Sequence, residues 1–313
     1  MKKIVGIDIG GTKISGAIIE NGSIISDIIK ENTPFCTEKI LQTVFDIIEN
    51  LSQKFEINGI AIASAGAVNN ENSKVIGSTG NLPKDYSSTD FKKIFEEKYN
   101  IPFLIENDAN AAAFAEYKTG AANGSKNSIT VTLGTGVGGG IIVNGKLLKG
   151  KSGAAGEIGH IVLGIDENRP CTCGCYNCFE AYASGSGFKK TIQELSRTNS
   201  EFKNSILKNT DYSELSTYEV IKGYKKGDEF CKIAYETWEK HLIIGLVSLA
   251  NIFDPENIVI SGGLAEEVNY QKVEKEINEK IVTTPIKLLQ AKAGNYAGMI
   301  GAALLLEEKL VEI

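Results

Sequence analysis

Apolar and polar positions along this chain follow two alternating rhythms. Apolar runs at residues 4–9, 14–19 and 24–29, broken by Gly10-Gly11 and Asn21-Gly22, predict three strands of an antiparallel meander. Residues 37–55 then place Ile40, Leu41, Val44, Phe45, Ile47, Ile48 and Leu51 three and four apart, the spacing of an amphipathic helix. Residues 57–63 predict a buried strand and 88–99 a second helix, and a strand at 103–105 leads into an alanine-rich helix at 109–117.

At Ser128 the pattern starts again, with a strand at 129–133, a glycine turn, a strand at 140–143 and an Asn144-Gly145 turn. Helices are predicted at 228–253, 270–281 and 297–309, with a strand at 257–260, while the polar stretch 191–226 shows no clear period. The repeated opening points to duplicated domains, and 313 residues suffice for two cores.

Composition narrows the function. An apolar fraction of 42% and a charged fraction of 23% are those of a soluble globular body. The net charge of −6 lacks the basic face that neutralises phosphates, so nucleic acid is not an expected partner. No apolar run approaches the roughly 20 residues that cross a bilayer, and the first residues enter a strand without a secretory signal, so a cytoplasmic protein with no membrane partner is expected. Four of six cysteines crowd between Cys171 and Cys178, which is metal-site clustering and not a disulfide framework.

Two strand–turn–strand segments, Asp8-Ile9-Gly10-Gly11-Thr12-Lys13 and Leu133-Gly134-Thr135-Gly136, suit phosphate, because glycine lets backbone N–H groups converge on an anion and a threonine hydroxyl adds a donor. Residues 134–139 also satisfy G-x-G-x-x-G, but the strand-like Ile141-Ile142-Val143 that follows excludes the dinucleotide reading, which needs a helix there. Ser261-Gly262-Gly263, after another apolar strand, offers a further approach point for a nucleotide. Glu106-Asn107-Asp108-Ala109-Asn110 lies at a strand-to-helix junction. Asp108 there can serve as the base that phosphoryl transfer to an alcohol requires, and Asp8 can help position magnesium. The same segment also reads as an ordinary helix cap at Asn107 or Asp108. His160 and the thiols of Cys171, Cys173, Cys175 and Cys178 contain a four-ligand set for a closed zinc site, and spacing alone leaves open which thiol is spare. Glu157 and Glu180 flank the cluster and suit sugar hydroxyls, whereas His241, in a predicted helix, reads as structural.

In this order the motifs resemble the ROK family of sugar kinases and sugar-responsive repressors, within the actin-like ATPase superfamily, over nearly the whole chain; Ala155-Gly156-Glu157-Ile158-Gly159-His160 and the 171–180 segment complete the series. The resemblance implies an α/β, two-domain, ribonuclease H-like fold of duplicated β-meander plus α/β units with a cleft between domains. The expected domains are 1–119 plus 297–313, and 120–296 with the zinc loop. It implies Asp108 as catalytic base and Asn107, Glu157, His160 and Glu180 as sugar ligands, with Gly66, Thr79 and Asn81 beside them. It also implies nucleotide contacts at Asp8, Gly10, Gly11, Thr12, Lys13, Gly134, Thr135, Gly136, Gly262 and Gly263, and zinc on His160, Cys171, Cys173 and Cys178, leaving Cys175 spare.

The implied activity is magnesium- and ATP-dependent phosphorylation of a hexose 6-hydroxyl by a homodimer. Glucose is the default acceptor and N-acetylmannosamine the alternative, ahead of fructose, N-acetylglucosamine or non-enzymatic sugar sensing. A repressor of this family would carry a helix-turn-helix ahead of the first glycine turn, and only seven residues precede Asp8. Where the family reads C-x-C-G-x-x-G-C, Asn177 replaces the second glycine; Asn tolerates left-handed geometry, so zinc remains expected. Ser64-Ala65-Gly66 stands for a family proline-glycine pair, and Asn81-Leu82-Pro83 lacks an aromatic residue that often follows there. These departures bear on sugar preference.

Overall fold

The computed structural model describes residues 2–77, 82–164 and 168–311. It divides into two compact units, one comprising Met1–Thr130, Gly140–Gly156 and Ala291–Ile313, the other Val131–Gly139 and Glu157–Gln290.

In the first unit, β1 (Ile4–Ile9) pairs antiparallel with β2 (Lys13–Glu20), from Ile4 opposite Ile19 to Ile9 opposite Ile14. The two short strands β3 (Ser23–Ile24) and β4 (Ile29–Asn32) both pair with β2. The strand expected at 24–29 is therefore split. Ser26 Oγ accepts the Ile18 N–H at 2.9 Å, and this side-chain oxygen takes the place of a ladder carbonyl and lets the chain leave the sheet. The helix α1 (Thr37–Ser52) crosses to β5 (Gly59–Ser64), which lies parallel to β1. A two-stranded ribbon, β6 (Ala67–Val68) and β7 (Val75–Gly77), comes next. The region expected to be one helix at 88–99 is a 3₁₀ turn at Lys84–Ser88 followed by α2 (Phe91–Tyr99), because Asp90 caps α2 by accepting the Lys93 N–H. β8 (Phe103–Asn107) completes the sheet order β3-β2-β1-β5-β8 and runs directly into α3 (Asp108–Lys118).

The period-two alternation of β1 sorts its side chains onto two faces. Val5, Ile7 and Ile9 pack with Val44, Ile47, Ile48 and Leu51 of α1 and Phe91 and Phe95 of α2. The other face takes α3 and the terminal helix, whose Ala111, Ala112, Ala115, Ala302 and Ala303 form one core with Ile4, Ala61 and Ala63. Small side chains here let two helices lie close together.

A second sheet has the order β11-β10-β9-β12-β13, with β9 at Ser128–Leu133, β10 at Val137–Val143, β11 at Lys146–Leu147, β12 at Asn257–Ser261 and β13 at Lys287–Gln290. The second unit adds α4 (Glu180–Ala183), α5 (Gly185–Thr198), α6 (Thr217–Lys225), α7 (Glu229–Phe253) and α8 (Tyr270–Lys280), while α9 (Ala297–Lys309) belongs to the first. The polar stretch without a readable period thus holds the end of α5 and all of α6, which begins with a capping box on Ser216 and Glu219. Buried Trp238 of α7 stacks on Phe188 of α5 at 5.0 Å and donates its indole N–H to Ala183 O.

The expected boundary at 119/120 lies inside the first unit, which continues to Thr130 and takes back 140–156. Gly140 sits against Ala113 and Asn110 of α3, which ties the end of β10 to that unit. Among the described residues, no helix is long and apolar enough to cross a membrane.

Candidate active site

In the first unit Asp8, Ala63 and Glu106 share one row across β1, β5 and β8, at the carboxyl ends of the parallel strands. Open α/β sheets present their ligand-binding groups at that edge. Asp108 opens α3 immediately after. A Cβ on Gly298, in the first turn of α9, would lie 3.6 Å from Asp8 Oδ2 and 3.7 Å from the Asp108 backbone carbonyl oxygen, so the Asp8 carboxylate and the main chain of Asp108 border the same point. Burial, and secondarily the charge of Asp108, pushes the Asp8 carboxyl up to about 7. A pair of this kind suits a divalent cation.

The capping reading of Asn107 is also realised: its Oδ1 accepts the Asn110 N–H at 3.0 Å. Its Nδ2 donates to Gly66 O at 3.0 Å and to Asp108 Oδ1 at 3.1 Å, and Asp108 Oδ1 takes the Ala109 N–H as well. Gly66, Asn107 and Asp108 are therefore one hydrogen-bonded set.

The first glycine turn is closed by Gly10 N–H on Lys13 O at 3.0 Å, and Thr33 secures it by donating from its hydroxyl to Gly10 O and from its backbone to Thr12 O. Gly11, Thr12 and Lys13 are left exposed at its tip.

In the second unit the other glycine turn spans only 134–136, because β10 begins at Val137 and not at Gly140 as expected. Gly134 N–H donates to Gly136 O, and Gly185 N–H, the first of α5, donates to Gly134 O. Gly262, at φ 90°, sits where a Cβ would come within 2.5 Å of Leu133 O, so the Gly262-Gly263 turn lies directly against the same strand end. Gly136 leaves room for Glu180: a Cβ there would lie 2.4 Å from Glu180 Oε2 and displace that carboxylate. That oxygen accepts the Val137 N–H at 3.0 Å, while Glu180 Oε1 accepts the Thr172 hydroxyl. Glu180 thereby joins the phosphate-type turn to the cysteine loop.

His160, Cys171, Cys173 and Cys178 bring one donor atom each to within 4.8 Å of one another. His160 Nδ1 faces Cys171 Sγ at 3.6 Å, and Cys173 Sγ lies 3.6 Å from Cys178 Sγ. Sulfurs at about 2.3 Å from a tetrahedral ion stand about 3.8 Å apart, so the donor set fits zinc in type and spacing. A ring bound through Nδ1 leaves Nε2 for a second partner. The backbone N–H of Cys175 draws the Cys173 thiol down to about 7, whereas burial pushes Cys178 up to about 12. Cys175 itself is exposed and outside the four; its carbonyl accepts the Cys171 N–H.

Asn177, at φ 59°, receives the Arg169 N–H and the Tyr182 hydroxyl on its Oδ1, so the residue that replaces the family glycine braces the loop. Buried His241 packs edge-on against Tyr182, and burial, then the charges of Arg169 and Lys240, lowers it to about 4.

Within the second unit, His160, Glu180, the thiols of Cys171, Cys173 and Cys178, Thr135 and the two glycine turns thus form a connected region. Glu157 is exposed, with its carbonyl accepting the His160 N–H. Thr79 and Asn81 lie outside the described residues. Sequence reasoning gave no role to Glu106 as an individual residue, to Lys149, to Arg169 or to the Ser184-Gly185 start of α5. Only the last carried a local signal, a serine cap before glycine.

A family model described as the ROK family matches residues 4–309. The chain belongs to the ROK family. It is 32% identical to a glucokinase of Streptomyces coelicolor over 97% of both chains. A ROK family glucokinase from Streptomyces griseus, solved in complex with glucose and AMPPNP, superposes with a TM-score of 0.80 at 30% identity, covering 98% of this chain and 99% of that one. The family also holds regulators: a xylose repressor of Bacillus subtilis is 30% identical over 95% of this chain and 75% of its own length. The two-domain actin-like α/β fold and the ROK membership are thereby fixed.

Proposed function

We propose that this ROK protein is an ATP-dependent sugar kinase that phosphorylates the 6-hydroxyl of a hexose, glucose in the first place. The observation that carries the reading is the placement of Asp108 beside Asp8 at the strand ends, in a chain 32% identical to a glucokinase over nearly its whole length. In the proposed reaction the sugar O6 attacks the γ-phosphorus. An O–P bond forms, the bond to the β–γ bridging oxygen breaks, ADP leaves with that electron pair, and Asp108 receives the hydroxyl proton. Asn107, Glu157, His160 and Glu180 hold the sugar hydroxyls, and the turns at 10–13, 134–136 and 262–263 hold the nucleotide. Magnesium, bound near Asp8, would supply charge neutralisation on the transferred oxygens. His160, Cys171, Cys173 and Cys178 would hold a structural zinc, since four protein ligands leave no position for a reacting water, and the bound ion would fix the loop that carries His160 and leads to Glu180. The enzyme is proposed to be cytoplasmic and homodimeric.

The product decides this reading. Incubation with glucose and magnesium ATP, followed by phosphorus NMR, should show ADP and a sugar phosphate esterified at C6. Folded, zinc-loaded protein that forms no phosphate ester from any hexose or acetylated hexosamine would overturn it in favour of sugar sensing, the reading that similarity to a xylose repressor supports.

A further inference from the structure

Glu106 is 1% exposed, yet it is a carboxylate, and a buried charge persists only where its partners compensate the loss of water. It has four. Oε1 accepts the Asn107 N–H at 2.9 Å and Asn110 Nδ2 at 3.2 Å. Oε2 accepts Asn72 Nδ2 at 2.8 Å and Lys149 Nζ at 2.5 Å. Every group belongs to the first unit.

These partners come from three separate segments. Asn72, at φ 54° in the turn between β6 and β7, exchanges hydrogen bonds with Ile105 as an additional strand would, accepting the Ile105 N–H on its carbonyl and giving its side-chain N–H to Ile105 O. Lys149 follows β11, in a loop that Asn70 also grips through Lys151 O at 2.8 Å. Both segments converge on the junction where β8 becomes α3.

Asn107 and Asp108 are set by that junction. The Asn107 N–H and the Asn110 side chain are both fixed on Glu106, Asn107 in turn caps Asn110, and Asn107 Nδ2 meets Asp108 Oδ1. We propose that the ion pair between buried Glu106 and half-buried Lys149, with Asn72, is a positioning device that holds Asn107 and Asp108 in the conformation that receives the sugar hydroxyl. The assignment rests on the kinase reading for its catalytic consequence, but not for its structural one. A neutral acceptor would satisfy the same geometry less strongly, because charge-assisted bonds are shorter and stiffer.

The test substitutes Lys149→Met, which keeps the apolar stem and leaves Glu106 buried without its cation. Two quantities are read: hydrogen exchange over residues 106–111, and the kinetic constants for sugar and for ATP. Exchange at the Asn107 and Asn110 amides should speed up, kcat should fall on the order of 10²-fold, as for a misplaced reacting group, and KM should rise for the sugar and hold for ATP. Lys149→Arg should restore most of both. Adding Glu106→Gln to Lys149→Met should recover part of the loss, since the uncompensated charge is gone. Glu106→Gln alone supplies the same readouts if Lys149→Met does not fold.

Wild-type exchange and wild-type kcat and sugar KM in these variants would overturn the inference. So would a lower melting temperature with unchanged constants per folded molecule, which is what mere scaffolding gives. Wild-type protein that turns over no sugar would sink the kinase reading, while the exchange measurement would still decide whether the pair positions the junction.

Discussion

Asp108→Asn is the substitution whose outcome the geometry defines most narrowly. Asp108 Oδ1 accepts the Ala109 N–H at 2.9 Å and Asn107 Nδ2 at 3.1 Å, and an asparagine oxygen can accept both in the same place. The α3 cap is made by Asn107, not by Asp108, so the helix start is unaffected. What changes is the capacity to take a proton, together with one negative charge beside Asp8. General-base catalysis is worth about 10²–10⁴-fold, or roughly 3–5 kcal/mol of barrier at 1.36 kcal/mol per tenfold. Turnover should fall by that factor with the sugar dissociation constant held within a few-fold, because the ground-state contacts survive. The assay is coupled ADP release under saturating sugar and ATP, with sugar affinity measured separately by calorimetry on the same preparation. Wild-type kcat in folded Asp108→Asn protein would refute the base assignment. A loss that appeared only as weakened sugar binding would make Asp108 a ligand and not a base.

Two further outcomes follow from the site. The Asp8 carboxyl is raised to about 7, so it favours folding when protonated; that contribution is complete below the ordinary Asp value of 3.8 and is lost as pH rises through 7. Metal-free protein should therefore lose up to roughly 4 kcal/mol of stability between pH 4 and 8, at 1.36 kcal/mol per pKa unit. Asp8→Asn should flatten the slope in thermal melts, and an unchanged slope would place the titrating group elsewhere. Cys173→Ala should release zinc and raise the sugar KM about 10–100-fold through the His160 loop while the ATP KM stays put; full zinc stoichiometry by metal analysis would contradict the ligand set.

The parts of this molecule that could be read from sequence are those in which one local signal decides the outcome. Ala297–Lys309 is a helix as its periodicity requires, and the strands carrying Asp8 and Leu133 lie where their apolar runs put them. That His160 and the crowded cysteines would come together was legible from their clustering and donor chemistry, whereas leaving out Cys175 rested on the family resemblance and not on spacing. The misses come from interactions between distant residues. Ser26 ends a strand by bonding to Ile18, which no propensity encodes. Glu106 looked like one more polar residue at a strand end, since its partners Asn72 and Lys149 are 34 and 43 residues away along the chain. Arg169 is the same case: it reads as a loop cation but is buried, bonded to Ala181 O, Thr191 and Glu194 and lying over the Tyr182 ring.

The central claim, that this is a sugar kinase with glucose as its first acceptor, is tested most directly by measuring kcat/KM for magnesium ATP with glucose, mannose, allose, fructose, N-acetylglucosamine and N-acetylmannosamine. The account predicts ADP release with a clear preference for glucose and its loss in Asp108→Asn. A preference for N-acetylmannosamine would keep the mechanism and move the substrate; no release with any sugar, from folded and zinc-loaded protein, would contradict the account.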